Sequence, residues 1–124
     1  MNEVIHIKRD IPGTKTNNEA YYISLIEGLK TTRMYRANGI SVYTNSELVC
    51  RKMKGIYQVR KVNSKPLHVE VRTIAGEFHF FTINHHSDIN RMYVDLMNVN
   101  SKGGVKTYVA CTLLHISDMC VFSL

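Results

Sequence analysis

Thr16-Asn17-Asn18-Glu19-Ala20-Tyr21-Tyr22-Ile23-Ser24-Leu25-Ile26-Glu27-Gly28-Leu29 is the stretch from which the fold can be read. Thr16 and Glu19 have capping-box spacing, in which a hydroxyl and a carboxylate take up backbone amides that the first helical turn leaves without partners. Tyr22, Leu25, Ile26 and Leu29 recur at i, i+3, i+4 and i+7, so the helix that starts here has one apolar face and should run to about Arg33. Glu19 then belongs to the cap and Glu27 to the solvated side.

Working outward, Val4-Ile5-His6-Ile7-Lys8 is β-branched and partly alternating, which predicts a strand closed by Pro12-Gly13. Downstream, Asn38-Gly39 breaks the chain, and Ile40 to Tyr43 is a short strand followed by Asn45 and Ser46, both good helix caps. A second helix is predicted from Glu47 to Lys54, stopping at Gly55. Pro66 suits a first helical turn, and Leu67, Val71, Ile74 and Ala75 form a third amphipathic face. A strand over Phe78 to Ile83, a loop at His85 to Asp88 and a helix from Ile89 to Val99 complete the pattern. Strands alternating with helices predict an α/β fold whose sheet holds at least two parallel strands joined by crossover helices.

The 124 residues, 44% hydrophobic and 21% charged, fit one globular domain. Cys50, Cys111 and Cys120 are odd in number and lack CxxC spacing, which argues against a disulfide framework or a tetrahedral zinc site and fits a reducing, intracellular compartment, cytoplasmic or nuclear. The N-terminus has no signal-peptide pattern, and the longest apolar stretch, residues 108 to 124, carries His115 and Asp118 and falls short of the roughly 20 residues that span a bilayer. No membrane partner is expected. A formal charge of +6 and a pI near 9.3 favour polyanionic partners, because lysines and arginines that neutralise phosphates release condensed counterions.

Four segments in order, residues 16–29, Val42 to Cys50, Gly55 to Arg60 and Ile89 to Asn98, resemble plant-type ribonuclease H domains, the group that includes retrotransposon-derived copies. The resemblance implies a ribonuclease H-like fold, a mixed sheet with flanking helices, over roughly residues 1–100, with 101–124 as a C-terminal extension of uncertain structure. It also implies a ligand set. In that family four acidic side chains hold two divalent ions that activate water and stabilise the leaving oxygen during hydrolysis of the RNA strand of a hybrid, a job for which neutral residues lack the charge.

The positions that match the family's motifs depart from it. The glutamate after the Thr-Asn-Asn motif is replaced by Tyr21, the aspartate before the serine at the end of the central strand by Asn45, and the last aspartate by Val94, with Asp95 one residue further on. A one-residue slip on a helix turns a side chain by about 100°, so Asp95 is a poor substitute. The loop histidine that aids product release falls on Asn84, beside His85 and His86. No metal or other cofactor is expected, magnesium or manganese being implied only for an active enzyme. Arg51, Lys52, Lys54, Arg60, Lys61 and Lys65 put six positive charges into fifteen residues, and with Asn17 and Asn18 they are the candidate contacts to nucleic acid, an RNA–DNA hybrid or RNA.

The family's first strand lies in the middle of its sheet, beside the strand that matches Val42, and this chain begins too late to contain that strand and its hairpin. Val42 would then be left unpaired unless residues 4–8 move inward or the tail at 105–122 adds strands. Val105, Thr107 and Val109 alternate with Lys106 and Tyr108 as a half-buried strand would. Three functional readings follow: a non-catalytic nucleic-acid-binding domain, an endoribonuclease with a metal site rebuilt from Asp10, Asn45, Asp88 and Asp95, and a protein-interaction unit or decayed retroelement fragment.

Overall fold

A computed structural model describes residues 3–9, 17–56, 58–98, 107–113 and 119–124. In chain order the elements are β1 (Glu3–Arg9), α1 (Asn17–Met34), β2 (Gly39–Thr44), α2 (Glu47–Met53), α3 (Lys65–Ala75), β3 (Phe80–His85), α4 (Ile89–Asn98), β4 (Thr107–Leu113) and β5 (Met119–Ser123). The strands form one mixed sheet in the order β1-β4-β5-β2-β3. β3 pairs parallel to β2 and β1 parallel to β4, and β5 runs antiparallel to both of its neighbours.

The tail fills the gap beside Val42. β5 lies against β2 with Phe122 opposite Val42 and Cys120 opposite Thr44, and β4 separates it from β1, which stays at the edge. β4 and β5, drawn from the stretch expected as an extension, therefore share one sheet with the other strands, and β2 gains a hydrogen-bonded neighbour on each side.

Side-chain alternation along these strands supplies two cores. Val42, Val109, Cys111, Cys120 and Phe122 face α1, where they join Tyr22, Leu25, Ile26 and Leu29; Tyr108 and Val121 face the other way, with Ile89 and the half-buried Tyr43 and Leu96. The predicted apolar stripe of α1 is thus the lid of the main core. Glu27, expected on the solvated side, is half-buried, and Glu19 is 6% exposed; Thr16, its proposed capping partner, lies outside the described residues.

Local chemistry sets the element ends. Ser46 caps α2 by accepting the Val49 amide at 3.2 Å, and α2 closes with Gly55 at φ +78, its N–H donating to the Lys52 carbonyl while Ile56 N–H donates to the Arg51 carbonyl. That pair of bonds is a Schellman end, for which glycine's left-handed backbone is the natural choice. β3 starts two residues later than the sequence suggests. The Phe78 amide is held by the Ala75 carbonyl in the turn after α3, so the ladder begins with His79 N–H donating to Asn38 O at 2.8 Å. At the far end His86 N–H reaches the Thr44 carbonyl at 2.9 Å, which draws His85 out of its predicted loop into the strand.

Phe122 is fully buried, and its ring sits so close beneath α1 that a Cβ at Gly28 would lie 2.1 Å from it. The sheet can approach the helix this closely only where the helix has no side chain. Phe122→Ala should therefore cost about 3–5 kcal/mol of stability in urea unfolding, and Gly28→Ala should destabilise as well; a native-like midpoint for both variants would show that β5 is not packed as described.

Candidate functional site

Two of the positions that the resemblance marks as metal ligands, Tyr21 and Asn45, meet in space. Tyr21, on the first turns of α1, donates its hydroxyl hydrogen to Asn45 Oδ1, just past β2, at 3.1 Å. The third position, Val94, is 52% exposed on α4, and Asp95 beside it is exposed. Asp88 Oδ1 accepts the Arg91 amide at 3.3 Å and so caps the start of α4, while Asp10 lies outside the described residues. No group of three or more His, Cys, Asp and Glu side chains able to hold a metal occurs among the described residues. The residues present at these positions do not fit a two-ion site, which needs several carboxylates.

The basic segment does not act as a uniform face. Arg51 pairs with Glu47 one turn earlier at 2.6 Å, so its charge is largely taken up. Lys54, Arg60 and Lys61 are exposed, whereas Lys52 is only 8% exposed. The side chains of Asn17 and Asn18 lie outside those described. His85 and His86 are exposed at the end of β3, and Asn84 is half-buried and lines a cavity with Met53, Lys54, Arg72 and Phe81.

A polar chain that sequence reading missed runs beneath this segment. Arg72 donates from Nε to His68 Nε2 at 3.1 Å and from Nη2 to the Met53 carbonyl at 2.6 Å, tying α3 to the end of α2. Because arginine can only donate, the neutral imidazole keeps its hydrogen on Nδ1, which faces Tyr22 Oη at 3.1 Å. Burial holds the His68 pKa below its ordinary value of 6.5, helped by the charges of Arg72 and Lys52. Burial likewise pushes the Tyr22 hydroxyl up to about 12, with Arg72 acting in the opposite sense. The i, i+4 spacing of His68 and Arg72 is the signal that the sequence carries, whereas Tyr22 reads there only as part of the apolar face of α1.

A family model described as reverse transcriptase-like matches residues 3–97, which is more than half of the chain. The chain belongs to the reverse transcriptase-like family. Its fold is that of a ribonuclease H-like domain, in agreement with two solved structures. Ribonuclease H1 of the halophilic archaeon Halobacterium salinarum superposes with a TM-score of 0.61 at 24% identity. The N-terminal ribonuclease H domain of a Mycobacterium tuberculosis protein, solved as a fusion with maltose-binding protein, gives 0.59 at 27%. Each match covers 67% of this chain and 63% of the other. No curated relative matches the chain. No helix among the described residues of the domain is long and apolar enough to cross a membrane.

In this ribonuclease H-like domain the neutral state of His68 has a measurable consequence. Its folded pKa lies below the unfolded one, so the unfolded chain binds the proton first, and the stabilisation is complete above about pH 6.5 and is lost as the pH falls from there through the folded pKa. An NMR titration of the His68 ring should give a midpoint below 6.5, and His68→Gln should flatten the loss of stability on mild acidification. A midpoint at or above 6.5 would contradict the hydrogen-bond assignment.

Proposed function

We propose that this domain binds nucleic acid, an RNA–DNA hybrid or RNA, through its phosphates and does not hydrolyse it. The observation that carries the reading is the Tyr21–Asn45 hydrogen bond. Where the family resemblance calls for two carboxylates, the chain has a phenol and an amide hydrogen-bonded to each other. Neither is a carboxylate, and a hard divalent cation takes anionic oxygen ligands in preference to a phenol or an amide. Without a pair of metal ions nothing at this position generates hydroxide or stabilises a leaving oxygen.

Binding survives such a loss because it rests on different residues. Lys54, Arg60 and Lys61 are exposed cations on the segment between α2 and α3, and the excess charge of +6 draws a polyanion over a range that charge pairing inside the protein does not cancel. Contacts of this kind hold phosphates and read no bases, so affinity should be modest and indifferent to sequence.

End-labelled RNA–DNA hybrid incubated with excess protein in magnesium or manganese should remain intact. Specific cutting of the RNA strand that disappears in Asp95→Asn would replace this reading by one with a rebuilt metal site. In fluorescence anisotropy, binding should weaken steeply with salt and be unmoved by magnesium beyond its ionic strength, and Lys54→Gln and Lys61→Gln should each lower the slope of log K against log salt by roughly 1.

A further inference from the structure

Between the C-terminus of α2 and the first turn of α3 lies a cavity of about 500 Å³ whose wall includes Lys52, Gly55, Gln58, Lys65, His68 and Arg72. Its charge is one-sided. The sequence from Leu48 to Val69 contains no aspartate or glutamate, and the acids that flank it are engaged elsewhere, Glu47 with Arg51 and Glu70 with Lys30. Among the described residues no carboxylate pairs with Lys52, Lys65 or Arg72.

Lys52 is the unusual member. Its residue surface is 8% exposed, yet its ammonium nitrogen is not among the buried unpartnered atoms, so the stem is buried and the charge stays at the cavity surface. No carboxylate among the described residues neutralises that charge, so an anion entering the cavity meets it directly. Arg72 is similarly incomplete: Nε and Nη2 are engaged by His68 and Met53, which fixes the guanidinium plane and leaves Nη1 over. Helix α3, eleven residues long, presents its positive end to the same cavity through Lys65 and His68, and has no acidic residue in its first turn. Its N-cap, Ser64, is buried, and its hydroxyl meets no partner among the described residues.

We propose that this cavity is a receptor for a terminal phosphate, the phosphomonoester at the end of a nucleic-acid strand. A monoester approaches two negative charges at neutral pH, whereas a backbone diester carries one, and three cations around a recess match the former. Lys52 and Lys65 supply charge from the wall, and the fixed Arg72 fork supplies direction. The strand itself would lie across Lys54, Arg60 and Lys61, so the identity of the phosphate's carrier rests on the proposed function, while the phosphate chemistry does not.

The test compares oligonucleotides of one sequence carrying a 5′-phosphate, a 3′-phosphate or neither, with inorganic phosphate followed separately by amide shifts of Gly55, Lys65 and His68. At least one phosphorylated end should bind about tenfold more tightly than the unphosphorylated strand. Lys65→Gln, an exposed change that leaves the core intact, and Lys52→Met should abolish the preference, while Arg91→Gln on α4 should retain it. Equal affinity for all three strands, with no response to inorganic phosphate, overturns the receptor and leaves phosphate-backbone binding standing. Failure of every strand to bind, with inorganic phosphate still shifting those three amides and the shift lost in Lys65→Gln, upholds the receptor and overturns the nucleic-acid reading.

Discussion

The pairing of β5 with β2 is the constraint on which the rest of this domain depends. β2 carries Val42 and Ile40 into the main core, and without a neighbour on its inner side its amides and carbonyls would be buried unpaired. β5 satisfies them and brings Phe122 with it, placed under the one position of α1 that has no side chain to obstruct the ring. A single strand therefore closes the backbone ladder, floors the helix and sets the distance between helix and sheet. Because β5 also pairs with β4, and β4 with β1, the tail connects the two halves of the sheet.

The site that the fold would be expected to carry depends on the same geometry and shows a different outcome. α1 and the end of β2 still converge, close enough for Tyr21 and Asn45 to share a hydrogen bond at 3.1 Å. At the two positions that the resemblance marks as ligands, a phenol and an amide hydrogen-bond to each other. Fold and chemistry are separable in this way because the scaffold is held by packing of Tyr22, Leu25 and Val42 in the core, none of which needs a metal.

The positive charge, by contrast, has been organised. Arg72 ties α3 to the last carbonyl of α2, His68 is held neutral between Arg72 and Tyr22, and the acids nearest the segment are paired with other cations. These arrangements leave Lys52, Lys65 and one nitrogen of Arg72 around a common recess. No carboxylate among the described residues pairs with any of the three, which is the ground on which the anion receptor is proposed.

Read alone, the sequence determined what short-range periodicity and turn chemistry can determine. The stripe of Tyr22, Leu25, Ile26 and Leu29 placed α1, Ser46 and Gly55 bounded α2, and the alternation of strands and helices placed β2 and β3 in a mixed sheet. The residues at the expected ligand positions were also legible, because a motif reveals a substitution wherever it lies in space. The order of the sheet was open, since alternation in Thr107 and Val109 marks a strand without naming its partner; only the register of Phe122 on Val42 and the space under Gly28 decided it. Burial of the Lys52 stem was equally hidden, because charge is a property of the residue and packing a property of its neighbours. The chain of Tyr22, His68 and Arg72 joins residues up to 46 positions apart, and only packing of α1 against α3 brings them within hydrogen-bond reach.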